Sequence, residues 1–251
     1  MAAVAEALIV GDGHDESRWQ LSPWLASLPH RDAAALLATH ERVVVVSPHP
    51  DDETLACGGL MRAAARAGRT LSVVSVTDGE ACYPGNGAWP PERLRVDRAS
   101  ELAGALRALD TCATLHRLHL PDGGVAAAAA TLRTALAKLV RPGDLVLAPW
   151  EHDGHPDHDA VGAAALSVVP AAGATLLRYP VWAWHWLDHA RPAPPFPAVR
   201  MPLDEGARRA KRAAIGCFAS QLGTAAPAVA EPVLAPHVVA RFERPFEVYL
   251  T

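Results

Sequence analysis

The stretch Val43–Glu53, VVVVSPHPDDE, constrains this chain more than any other. Four consecutive Val residues make an apolar run of the length of a strand buried on both faces. The run ends at Ser47-Pro48-His49-Pro50, where two prolines stop both strand and helix. His49, Asp51, Asp52 and Glu53 follow within five residues, so a buried strand opens directly into metal-type side chains. That pairing is expected at the C-terminal edge of an α/β sheet, where such sheets bind their ligands.

The rest of the chain repeats the pattern. Leu71–Thr77, Thr114–Leu120, Asp144–Trp150 and Thr175–Trp184 read as further strands. Helical stretches alternate with them: Thr54–Ala67, Glu92–Leu109, Val125–Val140 and Ala160–Val169. This alternation predicts a single Rossmann-like α/β domain, with a mostly parallel sheet and helices on both faces. The notable motifs all fall at strand C-terminal ends: HPDDE, Thr77–Glu80, Leu120–Gly124 and Glu151–Asp159 (EHDGHPDHD).

Residues 1–42 read as an N-terminal extension with small helices around Trp24–Leu28 and Ala33–Leu37, and with a solvated turn at Gly11–Glu16. Residues 43–222 form the core. Within it the Pro-rich Arg191–Pro202 is expected to be a connection and Leu203–Phe218 a helix whose Lys211 and Arg212 face solvent. Residues 223–251 are expected to add one or two strands.

Composition removes several classes of function. The net charge of −4 over 251 residues offers no broad basic footprint for nucleic acid. No apolar run approaches the roughly 18 residues of a membrane span, and the start lacks the basic region of a signal peptide. Cys57, Cys82, Cys112 and Cys217 are widely spaced with no CxxC, which fits reduced thiols in a cytoplasmic protein. A GxSxG elbow, GxGxxG, a P-loop and HExxH are all missing.

His49 and Asp52 stand three residues apart at a strand-to-helix transition, and so do His155 and His158 around Pro156-Asp157. Side chains at i and i+3 of a first helical turn share a face. Each turn alone reads equally as a helix cap. Together they can present two imidazoles and a carboxylate to one ion with a position left open for water, an arrangement used by zinc and also by iron.

Ser47–Glu53, taken with His155-Pro156-Asp157-His158 about a hundred residues later, resembles the PIG-L/LmbE family of zinc-dependent N-acetyl-sugar deacetylases. Softer matches are Thr77–Glu80, Arg98 with Glu101, and Lys211 through Ser220-Gln221. The resemblance implies that His49, Asp52 and His158 bind Zn2+, with Fe2+ as the alternative in the cell. It implies Asp51 as the general base, His155 as the group that polarises the carbonyl and stabilises the oxyanion, and Asp157 as the residue that orients or tunes His155. The implied substrate is a small N-acetylated amino sugar or glycoconjugate. Two rival readings stay open: an amidase acting on a thiol–sugar conjugate, and a metal- or sugar-binding module without turnover.

Candidate substrate contacts are Asp78, Arg98 and Asp122, with Tyr83 and Trp89 in the Gly/Pro loop Ala81–Pro91. Asp78 reads equally as a turn residue, Arg98 as a partner of Glu101, Asp122 as a cap, and the two aromatics as loop packing. Tyr179–Trp186 (YPVWAWHW) reads either as a platform for a sugar or as a buried edge. Oligomeric state is open, a homo-oligomer included.

Overall fold

The computed structural model describes residues 9–229 and 231–251. Seven strands form one sheet in the order β3-β2-β1-β4-β5-β7-β6. They are β1 Arg42–Ser47, β2 Thr70–Thr77, β3 Thr114–Leu120, β4 Leu145–Pro149, β5 Thr175–Tyr179, β6 Ala198–Pro202 and β7 Phe246–Leu250. The first five pair in parallel, and β7 runs antiparallel between β5 and β6. The expected doubly covered, mostly parallel sheet is therefore present.

The Val run explains why β1 is central. Val43 and Val45 pack into one apolar cluster and Val44 and Val46 into the other, all at most 1 % exposed. Each such burial is worth about 1.5–3 kcal/mol. Only a strand with helices on both faces gains that from four consecutive residues.

One face carries the helices α1 Glu16–Gln20, α2 Pro23–Ser27, α3 Ala33–Leu37, α4 Asp52–Arg66 and α5 Pro91–Ala108. The other carries α6 Ala129–Leu139 and α7 Pro156–Ala171. Between β1 and β4 the strand order reverses, so α4 and α7 leave on opposite sides of one crevice. The HPDDE turn starts α4 and the EHDGHPDHD segment leads into α7.

Several expected elements differ. The strand expected at Thr175–Trp184 stops at Tyr179, because Pro180 cannot continue the ladder, and α8 follows at Ala183–Trp186. The connection expected at Arg191–Pro202 contains β6, whose register is supplied by β7 rather than by local alternation. Beyond α9, Glu205–Ile215, the C-terminal segment holds a short helix, α10 Pro236–Ala240, and a single strand. α6 begins four residues later than expected and α7 four earlier.

Lys211 is buried, not solvated: its Nζ lies 2.7 Å from Glu247 Oε1. Glu247 also accepts from the backbone N–H of Gly59 (2.7 Å) and Leu60 (3.0 Å), tying β7 and α9 to the back of α4. A Cβ at Gly59 would collide with Leu203. The described part of the N-terminal region docks through aromatics. Trp19 Nε1 donates to Trp184 O (2.9 Å), and the Trp19, Trp24 and Trp184 rings pack at 5.0–6.1 Å. No helix among the described residues is long and apolar enough to cross a membrane.

Candidate active site and metal centre

Beyond β1 the chain turns through Pro48-His49-Pro50 and enters α4 at Asp52. The turn is held from two directions. Thr77, at the end of β2, donates both its N–H (3.0 Å) and its hydroxyl (2.9 Å) to Pro48 O. Glu53 folds back beneath the turn, accepting from the Ser47 hydroxyl (2.9 Å), the Thr54 hydroxyl (2.6 Å) and Asp51 N–H (3.2 Å). Glu53 is fully buried, and that burial pushes its pKa up to about 7. Its work as an internal brace exceeds the simple helix-start role that its position implies.

The turn delivers His49 Nδ1 and Asp52 Oδ2, 3.3 Å apart. The first turn of α7 delivers His158 Nε2, 3.3 Å from Asp52 Oδ2 and 3.3 Å from His49 Nδ1. These three atoms form an equilateral triangle. A tetrahedral ion with bonds of about 2.0–2.1 Å spaces its ligands about 3.3–3.4 Å apart, so the triangle has the dimensions of one face of such a site. Two imidazoles and a carboxylate therefore fit a divalent ion in both chemistry and spacing.

The charges of the cluster act on one another. Burial works against the charge of His158, but Asp52 and Asp153 raise its pKa to about 9. Burial likewise disfavours ionised Asp52, yet His158 and His49 hold it below the usual carboxylate range. An entering ion would displace those protons.

The outer atoms of both imidazoles are also engaged. Asp153 Oδ2 lies 2.9 Å from His158 Nδ1. Asp153 is completely buried and accepts from the backbone N–H groups of Val181, Trp182 and Ala183 at 2.8–2.9 Å. It thus places a charge behind His158 and fixes the turn before α8 in one step. The only local sign of this residue is its place between β4 and α7. His49 Nε2 faces Asp122 Oδ1 (3.2 Å) and Asp157 Oδ2 (3.4 Å).

Asp51 stands beside this triangle, not in it. Its Oδ2 accepts from Arg98 Nη2 at 2.9 Å. Burial raises its pKa to about 6, against the pull of the Arg98 guanidinium. Arg98 is 2 % exposed and also donates to Gly79 O (2.9 Å) and Pro50 O (3.2 Å). Gly79 has a positive φ of 64°, and a Cβ there would overlap the guanidinium. Arg98, expected as a sugar contact or a partner of Glu101, lines the cavity and directs both Nη atoms at Asp51 and the turn. Glu101, its expected alternative partner, binds the Ser220 N–H and hydroxyl instead (2.6 and 2.7 Å).

His155 caps α7, with Nδ1 accepting from Asp157 N–H at 3.2 Å. That bond places the ring proton on Nε2. Burial, then the neighbouring His49 and His158, lowers its pKa to about 3, so the ring is a neutral donor. The Asp157 carboxylate does not orient this ring through a hydrogen bond. It accepts from Gly123 N–H (2.7 Å) and Val125 N–H (3.1 Å) and faces His49. The orienting of His155 comes from the backbone of Asp157, and its carboxylate ties α7 to the loop after β3.

Three more expected substrate contacts are turned elsewhere. Asp78 is clamped by Arg117 (2.7 Å) and His119 (2.8 Å) at the end of β3. Tyr83 donates to Ser220 O (2.7 Å) and Trp89 Nε1 to Pro227 O (2.9 Å), with Arg93 stacked 4.0 Å over the Trp89 ring. Both aromatics pack the loop down. Asp122 does reach the site: Oδ2 accepts from Ala81 N–H (2.8 Å), and Oδ1 faces His49. Burial opposes its charge, and His49 outweighs burial, holding its pKa below the usual range.

A cavity of about 470 Å³ opens on this cluster, lined by His49, Asp51, Asp52, Asp122 and His155 at one end. Trp182 lines it and stacks on His155 (6.2 Å, 21°). Trp184 is buried and Trp186 stacks on Trp150, so the YPVWAWHW stretch divides between the two expected readings. Gln221, Val233, Leu234, Val238, Arg241 and Phe242 also line it, and of these only Gln221 lies in a stretch singled out in the sequence.

Comparison with known proteins places these features among relatives. The model of the PIG-L family, GlcNAc-PI de-N-acetylase, matches residues 44–169, half of the chain. No curated protein sequence matches it. Among solved structures, the A40926 pseudoaglycone deacetylase superposes with a TM-score of 0.61 at 25 % identity, covering 84 % of this chain and 96 % of that one. A conserved protein of Thermus thermophilus gives 0.60 at 24 %, covering 83 % and 93 %. The N,N'-diacetylchitobiose deacetylase of Pyrococcus horikoshii gives 0.54 at 20 %, covering 74 % of each chain.

Proposed function

The chain belongs to the PIG-L family, and from that premise we propose that it is a metal-dependent hydrolase removing the acetyl group from an N-acetylated amino sugar or its conjugate. One observation carries the reading. A three-atom ligand face of His49, Asp52 and His158 stands beside a carboxylate, Asp51, that belongs to the cavity and not to the triangle. Binding alone would need no such group. Deacetylase relatives of similar fold support the reaction type.

A divalent ion held by these three residues would act as a Lewis acid toward the amide carbonyl and acidify a water molecule beside it. Zinc suits the donor set, and iron is the alternative. Asp51, fixed through one oxygen by Arg98, has its other oxygen free to take a proton from the attacking water. The N–H of neutral His155 donates to the carbonyl oxygen as negative charge develops there, an effect worth roughly 3–4 kcal/mol in comparable sites. The proton on Asp51 then passes to the leaving amine, giving acetate and a free amino sugar.

The test is amine release from a panel of N-acetyl sugars and glycosides by zinc-loaded protein, with metal content measured in parallel. Asp51→Asn is expected to keep the metal and lose about 10²–10⁴-fold in kcat. A near-normal rate in that variant would remove the general-base role. Protein with no stoichiometric divalent metal would remove the ligand assignment.

A further inference from the structure

The cavity is larger and more one-sided than an acetyl group requires. Its volume of about 470 Å³ lies in the range, roughly 300–1,000 Å³, that encloses a drug-sized ligand. Much of the remaining lining is apolar: Leu55, Trp182, Val233, Leu234, Val238 and Phe242. Two cations also line the cavity: Arg98, which is paired with Asp51, and Arg241.

Arg241 is 2 % exposed, and its partners are all neutral. Nε donates to His14 O (3.1 Å) and Nη2 to Asp12 O (2.9 Å), while Nη1 lies 3.5 Å from His185 Nδ1. A guanidinium has five N–H donors, so two are left without an acceptor among the described residues. The nearby carboxylate of Glu16 is taken by Arg244 at 2.7–3.0 Å. Burial, with the Arg244 charge beside it, lowers the Arg241 pKa to about 10. Buried cations are normally paired. This one sits on a ligand cavity, and among the described residues no carboxylate pairs with it; Asp15 acts on it only through its field.

Arg241 is reached from the His155 ring through Trp182 and His185, in steps of 6.2, 6.3 and 3.5 Å. Two side chains stand between them, and both His155 and Arg241 line the same cavity, where a substituent on the sugar would lie. We propose that Arg241 is a specificity determinant: the substrate is an amino-sugar conjugate whose aglycone is apolar and carries an anion, a carboxylate or a phosphate, that the guanidinium binds. The planar fork matches either anion. The inference rests on the amino-sugar reading of the site.

The test separates the two. Four glucosides without an N-acyl group are titrated into zinc-loaded protein by calorimetry: hexyl glucoside, its ω-carboxylate, the methyl ester of that carboxylate, and the ω-phosphate. The better anion is expected to bind at least about tenfold more tightly than the methyl ester, and the two anionic arms tell carboxylate from phosphate. In Arg241→Gln the ratio of anion to ester is expected to fall to about one. A ratio of one in the wild-type protein, or an unchanged ratio in Arg241→Gln, overturns the proposal. Should Arg241→Gln not fold, Arg241→Lys carries the test, and a preference equal to wild type there overturns it too. Amine release from the N-acetylated counterparts is scored separately. Anion preference without turnover sinks the deacetylase reading and keeps the anion site. Turnover without anion preference does the reverse.

Discussion

Replacing Arg98 tests whether this residue serves the base or the substrate. In the structure its guanidinium makes three bonds, to Asp51 Oδ2, Gly79 O and Pro50 O, at 2.9–3.2 Å, and it is buried. Arg98→Met leaves the Asp51 carboxylate in a low-dielectric site without its cation, a loss of about 3–5 kcal/mol in stability. Arg98→Lys keeps the charge and loses the fork. Hydrogen bonds to charged groups contribute about 1.5–3 kcal/mol each, so the loss of one bond beyond those Lys can remake is about 2 kcal/mol. Neither variant touches a ligand atom of the triangle, so metal content is expected to stay at wild-type level. The kinetic expectation is specific. A displaced base lowers kcat by up to the full 10²–10⁴-fold that general-base catalysis supplies, with KM changed by no more than a few-fold. Arg98→Lys is expected to fall between wild type and Arg98→Met. Gly79→Ala should give the same signature by another route, because its Cβ would occupy the guanidinium's place. Steady-state kinetics on one N-acetyl substrate, with metal analysis and thermal melts, decide the matter. A raised KM with kcat intact in all three variants would return Arg98 to the role of sugar contact and refute the reasoning.

Asp153→Asn removes the charge behind His158 and is expected to weaken metal binding about 10–100-fold in a chelator competition. Unchanged affinity would make Asp153 a loop anchor only. Glu53, with its folded pKa raised to about 7 from 4.5, stabilises the metal-free protein below pH 4.5 and loses that contribution as pH rises through 7. Metal-free melts between pH 5 and 8 should therefore slope downward, and Glu53→Gln should flatten the slope; an equal slope in both rules this group out as the source. Asp78→Asn is expected to cost about 1–2 kcal/mol of stability through Arg117 and His119 while kcat/KM stays within about twofold. A large rise in KM would restore it as a substrate contact.

The legible part of this protein was short-range. Four Val residues in succession demand burial on two faces, and the prolines that follow demand a stop, so a central strand ending at His49 could be read directly. The His49–Asp52 and His155–His158 spacings are properties of a first helical turn, and the turn itself sets the direction of those side chains. The illegible part was long-range. Arg98 lies 47 residues from Asp51, and nothing local distinguishes its buried pair from a solvated helix position or a sugar contact. Tyr83 and Trp89 carried the right chemistry for a substrate contact but are committed to carbonyls more than 130 residues away. β6 was hidden because its pairing is supplied by β7, in the last residues of the chain.

By itself the sequence determined the central strand, the alternation of strands and helices around it, and the donor types that gather at the strand ends, since each follows from local sterics and periodicity. Only the tertiary structure decided which carboxylate is held by Arg98, which buried acid stands behind His158, and which wall closes the cavity. Those are questions of which distant groups are close enough to share a proton, a charge or a dry surface. Packing answers them because the energy of a buried charge depends on everything that surrounds it.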